Sequence, residues 1–294
     1  MHINNIMVEL LFNLVFISQM ILLSWYYPRT IINRLTSVID KYPPREYPKL
    51  YTKPKGYYQK KITTFAGLCT LAQVACLVIV LISWNLGNSP NEEMLVLICF
   101  ALQVLPIMIL SIMAAKYFKK MKKVFQSSNR EANLQPRRIF DFISAKLVGI
   151  AVILYVVYLL VYLYLNNFDI FSDSKVPLTL IGVTLIQLYF SVVFYWKMYG
   201  RKQNPYSVNE DRVREIKTVG KIAVYASIIM SLYLTVAIIM DSFSNLDSLD
   251  PMMLSIYLQM ITIFGIGAEI RMIKIEDINF DVYKSNAIKS TSVA

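Results

Sequence analysis

Histidine is almost missing from this 294-residue chain, and that single scarcity removes most enzyme chemistry. The one copy is His2, so Ser-His-Asp and Cys-His nucleophile sets, a His-Glu-x-x-His metal helix and bis-His haem ligation have nothing to draw on. The phosphate-cradling patterns G-x-G-x-x-G and G-x-x-x-x-G-K-[ST] do not occur. Cysteine is limited to Cys69, Cys76 and Cys99, all inside long apolar runs, where they read as small packing residues. Paired carboxylates occur at Glu92/Glu93 and Asp247/Asp250, in short segments that read as a solvated rim, with weak divalent-cation binding as the alternative. The expectation is a protein with no catalytic residues, no metal and no cofactor. The chain also has no Asn-x-Ser/Thr acceptor in which x is not proline, which agrees with a bacterial inner membrane.

Charge is scarce as well. Only 17% of residues are charged, against roughly a quarter in soluble domains, while 56% are hydrophobic. The mean hydropathy is +0.49. A helix rises about 1.5 Å per residue and a bilayer core is about 30 Å thick, so an uncharged run of roughly 20 residues is long enough to cross. Seven runs qualify, at about 6–27, 62–84, 94–115, 147–165, 178–196, 222–240 and 251–270. Apart from Glu9 and Glu269, both near run ends, none contains Asp, Glu, Lys or Arg. Ion pumps, voltage sensors and coupled transporters place such residues at mid-depth, so energy-coupled transport is not expected.

The net charge of +11 invites a nucleic-acid reading, and the placement of the cations decides against it. The segments 28–61, 116–146, 197–221 and 271–294 hold 29 of the 30 Lys and Arg residues with 10 of the 19 acids, and an eleventh acid, Glu269, closes the run just ahead of the last of them. The segments alternating with them hold Lys175 and the other 8 acids. Membrane insertion retains cations on the cytoplasmic side, which predicts an outer N-terminus and a cytoplasmic C-terminus. The basic face is expected to set orientation and to meet anionic lipid, with no nucleic-acid partner.

The expected fold is therefore an all-α integral membrane protein of seven transmembrane helices, one plus three hairpins. Its boundaries are a first helix at 1–27, a basic Pro/Tyr-rich linker at 28–61, a hairpin at 62–115 and a basic loop at 116–146. A second hairpin follows at 147–196, a loop at 197–221, a third hairpin at 222–270 and a tail at 271–294. The first run lacks a basic flank ahead of its apolar part and ends in Trp25-Tyr26-Tyr27-Pro28-Arg29, so it reads as a retained span and not a secretory signal. Thr30 to Asp40 has the pattern of a short amphipathic helix. Tyr42 to Tyr58 contains four prolines and reads as an extended, polyproline-like strap. Close helix approach is expected at Gly149, Gly182, Gly265, Gly267 and Ala268, and a kink at Pro106.

The hairpins share a spacing. Lys61, Lys146 and Lys221 each precede an uncharged run, and the second run of each hairpin carries one glutamine, Gln103, Gln187 or Gln259, followed by Lys116, Arg201 or Arg271. This suggests an internal repeat. An unpaired amide in hydrocarbon costs a few kcal/mol, so each glutamine must find a partner. They act either as interhelical glue or as a ring of amides in a central cavity, helped by Gln73, Ser227, Ser231 and Tyr233, that binds or passes an uncharged or lipid-like molecule. Tyr155, Tyr158 and Tyr162 share one helix face and form either packing or a pocket wall. The strap residues Tyr42, Pro43, Pro44, Tyr47, Pro48 and Tyr51 suggest an alternative function, an accessory or scaffold subunit that docks a protein partner on its basic face. Seven spans invite comparison with receptors and rhodopsins, yet the seventh run has no lysine for a Schiff base and the third does not end in Asp/Glu-Arg-Tyr.

Overall fold

The computed structural model describes residues 2–85, 92–124, 138–170, 175–200, 202, 204–243 and 246–285. The turn near position 90, the middle of the basic loop, Asp173 and Arg201 lie outside the described residues. Among the described residues the chain is all-helical. Seven helices are long and apolar enough to cross a membrane: Met7–Lys41, Lys55–Ser83, Glu92–Val124, Ala145–Leu165, Lys175–Tyr199, Asn209–Asp241 and Asp247–Met272. We label the regular pieces α1 (His2–Ile21), α2 (Tyr27–Lys41), α3 (Lys55–Asn85), α4 (Glu92–Val124), α5 (Ala145–Leu165), α6 (Lys175–Tyr199), α7 (Asn209–Asp241), α8 (Asp250–Phe264) and α9 (Ile266–Met272).

Helices outrun their apolar stretches. α3 starts at Lys55 instead of near 62, α4 continues to Val124 beyond 115, and α7 starts at Asn209 well ahead of 222. Hydropathy reports which solvent a residue meets, whereas backbone bonding carries the helix on through lysine-rich turns of good helix propensity. The first span also runs on, as α2 to Lys41, which covers the amphipathic pattern at Thr30 to Asp40. Pro28 lacks an N–H and would crowd the carbonyl four residues back, and a π turn at Leu22–Tyr26 precedes it, in which the Tyr27 N–H bonds the Leu22 carbonyl. α4 runs unbroken through buried Pro106. The last span breaks at Gly265, where an added Cβ would meet the Ile261 carbonyl at 2.8 Å. Arg271 reaches back to the Ile263 carbonyl at 3.1 Å and satisfies an acceptor that the break leaves open.

The chain forms two compact units. The first comprises 1–19, 135–201 and 213–272, the second 20–134, 202–212 and 273–294. In the first unit, Phe142, Ile143, Phe194, Met198 and Ile216 make one core and Tyr158, Val183 and Met230 another. Gly220 is a tight seam there: a Cβ would stand 2.7 Å from Ile143 Cδ1 and 2.7 Å from Phe194 Cε2. Gly149 and Gly182 mark no such approach, since a Cβ at either would meet nothing within 4 Å. In the second unit the core outside the apolar runs is aromatic. Tyr42, Tyr47, Met121, Phe280 and Tyr283 are buried together, with the Tyr42 and Phe280 rings stacked at 3.8 Å.

Candidate functional site

The three glutamines each reach a helix outside their own hairpin. In the second unit, Gln103 on α4 is 2% exposed, and its amide nitrogen donates to Ser24 Oγ at 2.9 Å and approaches Met20 Sδ at 2.9 Å. In the first unit, Gln187 on α6 donates to Ser231 Oγ on α7 at 3.0 Å. Gln259 on α8 donates to the Val15 carbonyl on α1 at 3.0 Å and accepts from Ser18 at 3.0 Å. Each amide thus bonds a different seam, with serine as the recurring partner, and Gln187 and Gln259 are engaged separately within one unit. Such bonds hold helices where lipid supplies no hydrophobic drive.

Gln19 on α1 belongs to this chemistry, and sequence reading gave it no role. It is 0% exposed and accepts from Ser255 Oγ at 2.7 Å. Ser18, Ser24 and Ser255 were also missed. Their hydroxyls are too common in apolar helices to stand out, and only the facing amide gives them meaning. Ser231 is buried and bonded as described, whereas Gln73, Ser227 and Tyr233 are half-buried, with the Tyr233 ring stacked on Tyr257 at 4.2 Å.

Among the described residues, three buried side-chain polar atoms have no hydrogen-bond partner: Gln19 Nε2, Gln103 Oε1 and Tyr158 Oη. Of the three hairpin amides Gln103, Gln187 and Gln259, Gln103 is thereby the one with a spare acceptor. Turning its amide over would pair the oxygen with the Ser24 hydroxyl and strand the nitrogen, so one end is left open in either orientation. A buried group without a partner costs about 1–3 kcal/mol. Gln103 also faces the π turn, and Ser24 lies within it. The tyrosine face on α5 packs: Tyr155 bonds Thr184 at 2.7 Å, and Tyr158 stacks on Tyr162 at 6.0 Å.

The strap is not an extended polyproline segment. Tyr47 N–H returns to the Pro43 carbonyl at 3.0 Å, Pro48–Leu50 forms a 3-10 turn, and Tyr51 Oη donates to the Tyr42 carbonyl at 2.6 Å. Four prolines fix φ at values that turns also accept, and the surrounding aromatics reward closure with burial. Tyr42 and Tyr47 are buried and Tyr51, Pro43 and Pro44 half-buried, leaving Arg45, Glu46 and Pro48 as the outward members. Burial, followed by the nearby Tyr58 and Asp40, pushes the Tyr51 phenol above its ordinary 10.0. Across the strap's unit, Tyr117 donates to the Leu50 carbonyl, Asn204 to Tyr283 Oη and Arg34 to the Ile273 carbonyl.

The cysteines pack. All three are free and buried, and the Cys76 thiol points to the Cys99 carbonyl at 3.6 Å. No protein-family model matches the sequence, and comparison with curated proteins and with solved structures gives no match.

Proposed function

We propose that the chain is a multi-pass membrane protein, one helix plus three hairpins with the N-terminus outside, that binds or passes an uncharged or lipid-like molecule without transforming it. The sorting of 29 of 30 cations into alternate segments supports the orientation. The observation that carries the binding reading is Gln103: a 2%-exposed amide whose oxygen has no partner, set against a π turn. π turns within helices recur at functional sites because they open the backbone ladder locally. A hydroxyl or N–H on the bound molecule would pair the stranded acceptor and recover the cost of leaving it open. Entry requires the first span to yield, and the π turn is its irregular segment. Gln187 and Gln259 act as glue in this reading.

The test is native mass spectrometry of the full chain in mild detergent. The wild type is expected to carry a neutral adduct that Gln103→Leu loses and Gln187→Leu keeps. An adduct retained by Gln103→Leu, or no adduct on the wild type in gently extracted membranes, overturns the reading.

A second reading, an accessory subunit, draws support from the strap, whose folded turn presents Arg45, Glu46 and Pro48 outward. Its aromatic members are spent on the protein's own core, so a partner would meet the turn's polar edge. Cross-linking from position 46 in membranes is expected to capture one discrete partner; diffuse labelling would count against it.

A further inference from the structure

We infer that Lys53, Tyr57 and Lys61 form a seat for the phosphate of one anionic phospholipid. The proposal rests on the reading that α3 crosses a bilayer, and it adds a defined site to the general attraction of a basic face. Lys53 Nζ stands 4.3 Å from the centre of the Tyr57 ring and Lys61 Nζ 5.7 Å from it. A ring's negative face draws ammonium groups, and here two of them stand against one ring. Neither is neutralised by protein: no acid lies within ion-pair distance of either among the described residues, whereas neighbouring Lys55 is paired with Asp40 at 3.3 Å. A phosphodiester placed against both would supply the missing negative charge.

The seat is built in advance. Thr52 N–H donates to Tyr58 Oη at 3.0 Å, the Thr52 hydroxyl meets the same oxygen at 3.0 Å, and Tyr57 N–H bonds the Pro54 carbonyl at 2.9 Å. Lys53 therefore follows an anchored residue, and the Tyr58 ring that anchors it packs edge-on against Tyr51, Tyr57 and Tyr117. Ordering before binding lowers the entropy lost on binding. The Tyr57 ring itself is 40% exposed.

Position selects a lipid over free phosphate. The uncharged run of α3 begins at the residue after Lys61, so the cations sit at headgroup depth. Leu71 and Val74, both more than half exposed, continue down the helix. At 100° per residue Leu71 lies about 40° around the axis from Tyr57, which sets apolar surface for acyl chains below the phosphate seat.

The experiment uses the full chain in detergent titrated with phosphatidylglycerol or phosphatidylcholine, read by native mass spectrometry, with inorganic phosphate as competitor. The wild type is expected to retain phosphatidylglycerol preferentially and to ignore inorganic phosphate. Lys53→Gln with Lys61→Gln should weaken retention about ten- to thirtyfold, at about 1 kcal/mol per cation. Tyr57→Leu should weaken it about two- to fivefold. Removing the same charge elsewhere, by Lys122→Gln with Lys123→Gln, should leave it unchanged. Equal loss in both double variants, equal retention of the two lipids, or displacement by inorganic phosphate overturns the seat. Gln103 is untouched in every variant, so such a failure leaves the neutral-adduct test standing.

Discussion

Within the second unit two regions are held together by opposite means. Around Tyr42 and Phe280, outside the apolar runs, aromatic rings are stacked and buried with Tyr47, Met121 and Tyr283. Around Gln103, inside an apolar run, the contact between helices is marked by a single amide on a serine hydroxyl and a methionine sulfur. Water expels aromatic surface, so burial stabilises the first region; lipid tails are as apolar as the helices, so the second depends on hydrogen bonds and close fit. One chain therefore uses two currencies of cohesion, chosen by the solvent outside.

Breaking the aromatic clasp should have the largest effect. Phe280→Ala is expected to cost about 3 kcal/mol, as deletion of a buried ring does, and to open residues 42–51 to limited proteolysis. Unchanged cleavage would mean the clasp is not held by its rings. Next comes the tight seam in the first unit. Gly220→Leu should lower stability by about 1–3 kcal/mol through overpacking against Ile143 and Phe194, while Gly149→Leu, which meets open space, should be close to neutral in a denaturation series. Similar losses at both positions would remove the distinction. An amide bond is smaller still: Gln187→Leu should cost about 1 kcal/mol or less, as measured for interhelical bonds in membranes.

The finest probe is alkaline pH. Tyr51 donates its hydroxyl to the Tyr42 carbonyl, and the folded chain raises its pKa above 10.0, so the neutral phenol belongs to the folded form. Its contribution is complete below the ordinary pKa and is lost as pH rises through the raised one. Strap proteolysis should therefore accelerate only above pH 10.0, and Tyr51→Phe should remove that step. An onset near neutral pH would contradict the assignment.

Much of the fold was legible because lipid is a simple solvent. Uncharged runs of the required length announce seven helices long and apolar enough to cross, and the described structure has them. Their ends were less legible, since Lys55, Val124 and Asn209 lie in charged turns that continue the helix without meeting hydrocarbon. The π turn escaped notice because Pro28 reads equally well as a boundary and as a defect absorbed by the preceding turn. At the site, the glutamines stood out as lone polar residues in apolar runs, and Ser231 was named beside them, but the partners of Gln103 and Gln259 did not stand out. Ser24 and Ser18 are assigned by which helices face each other, which spacing along one helix does not encode. Gly220 likewise has no mark distinguishing it from Gly149 and Gly182 until Ile143 and Phe194 are set beside it.

The account turns on Gln103 being held for binding while Gln187 is held for cohesion. The most direct measurement follows the thermal midpoint and the neutral adduct mass together for Gln103→Leu and Gln187→Leu in the same detergent. The account predicts that Gln103→Leu loses the adduct with a midpoint lowered no more than that of Gln187→Leu, while Gln187→Leu loses some stability and keeps the adduct. A lowered midpoint with an intact adduct in Gln103→Leu would contradict it and make all three amides glue.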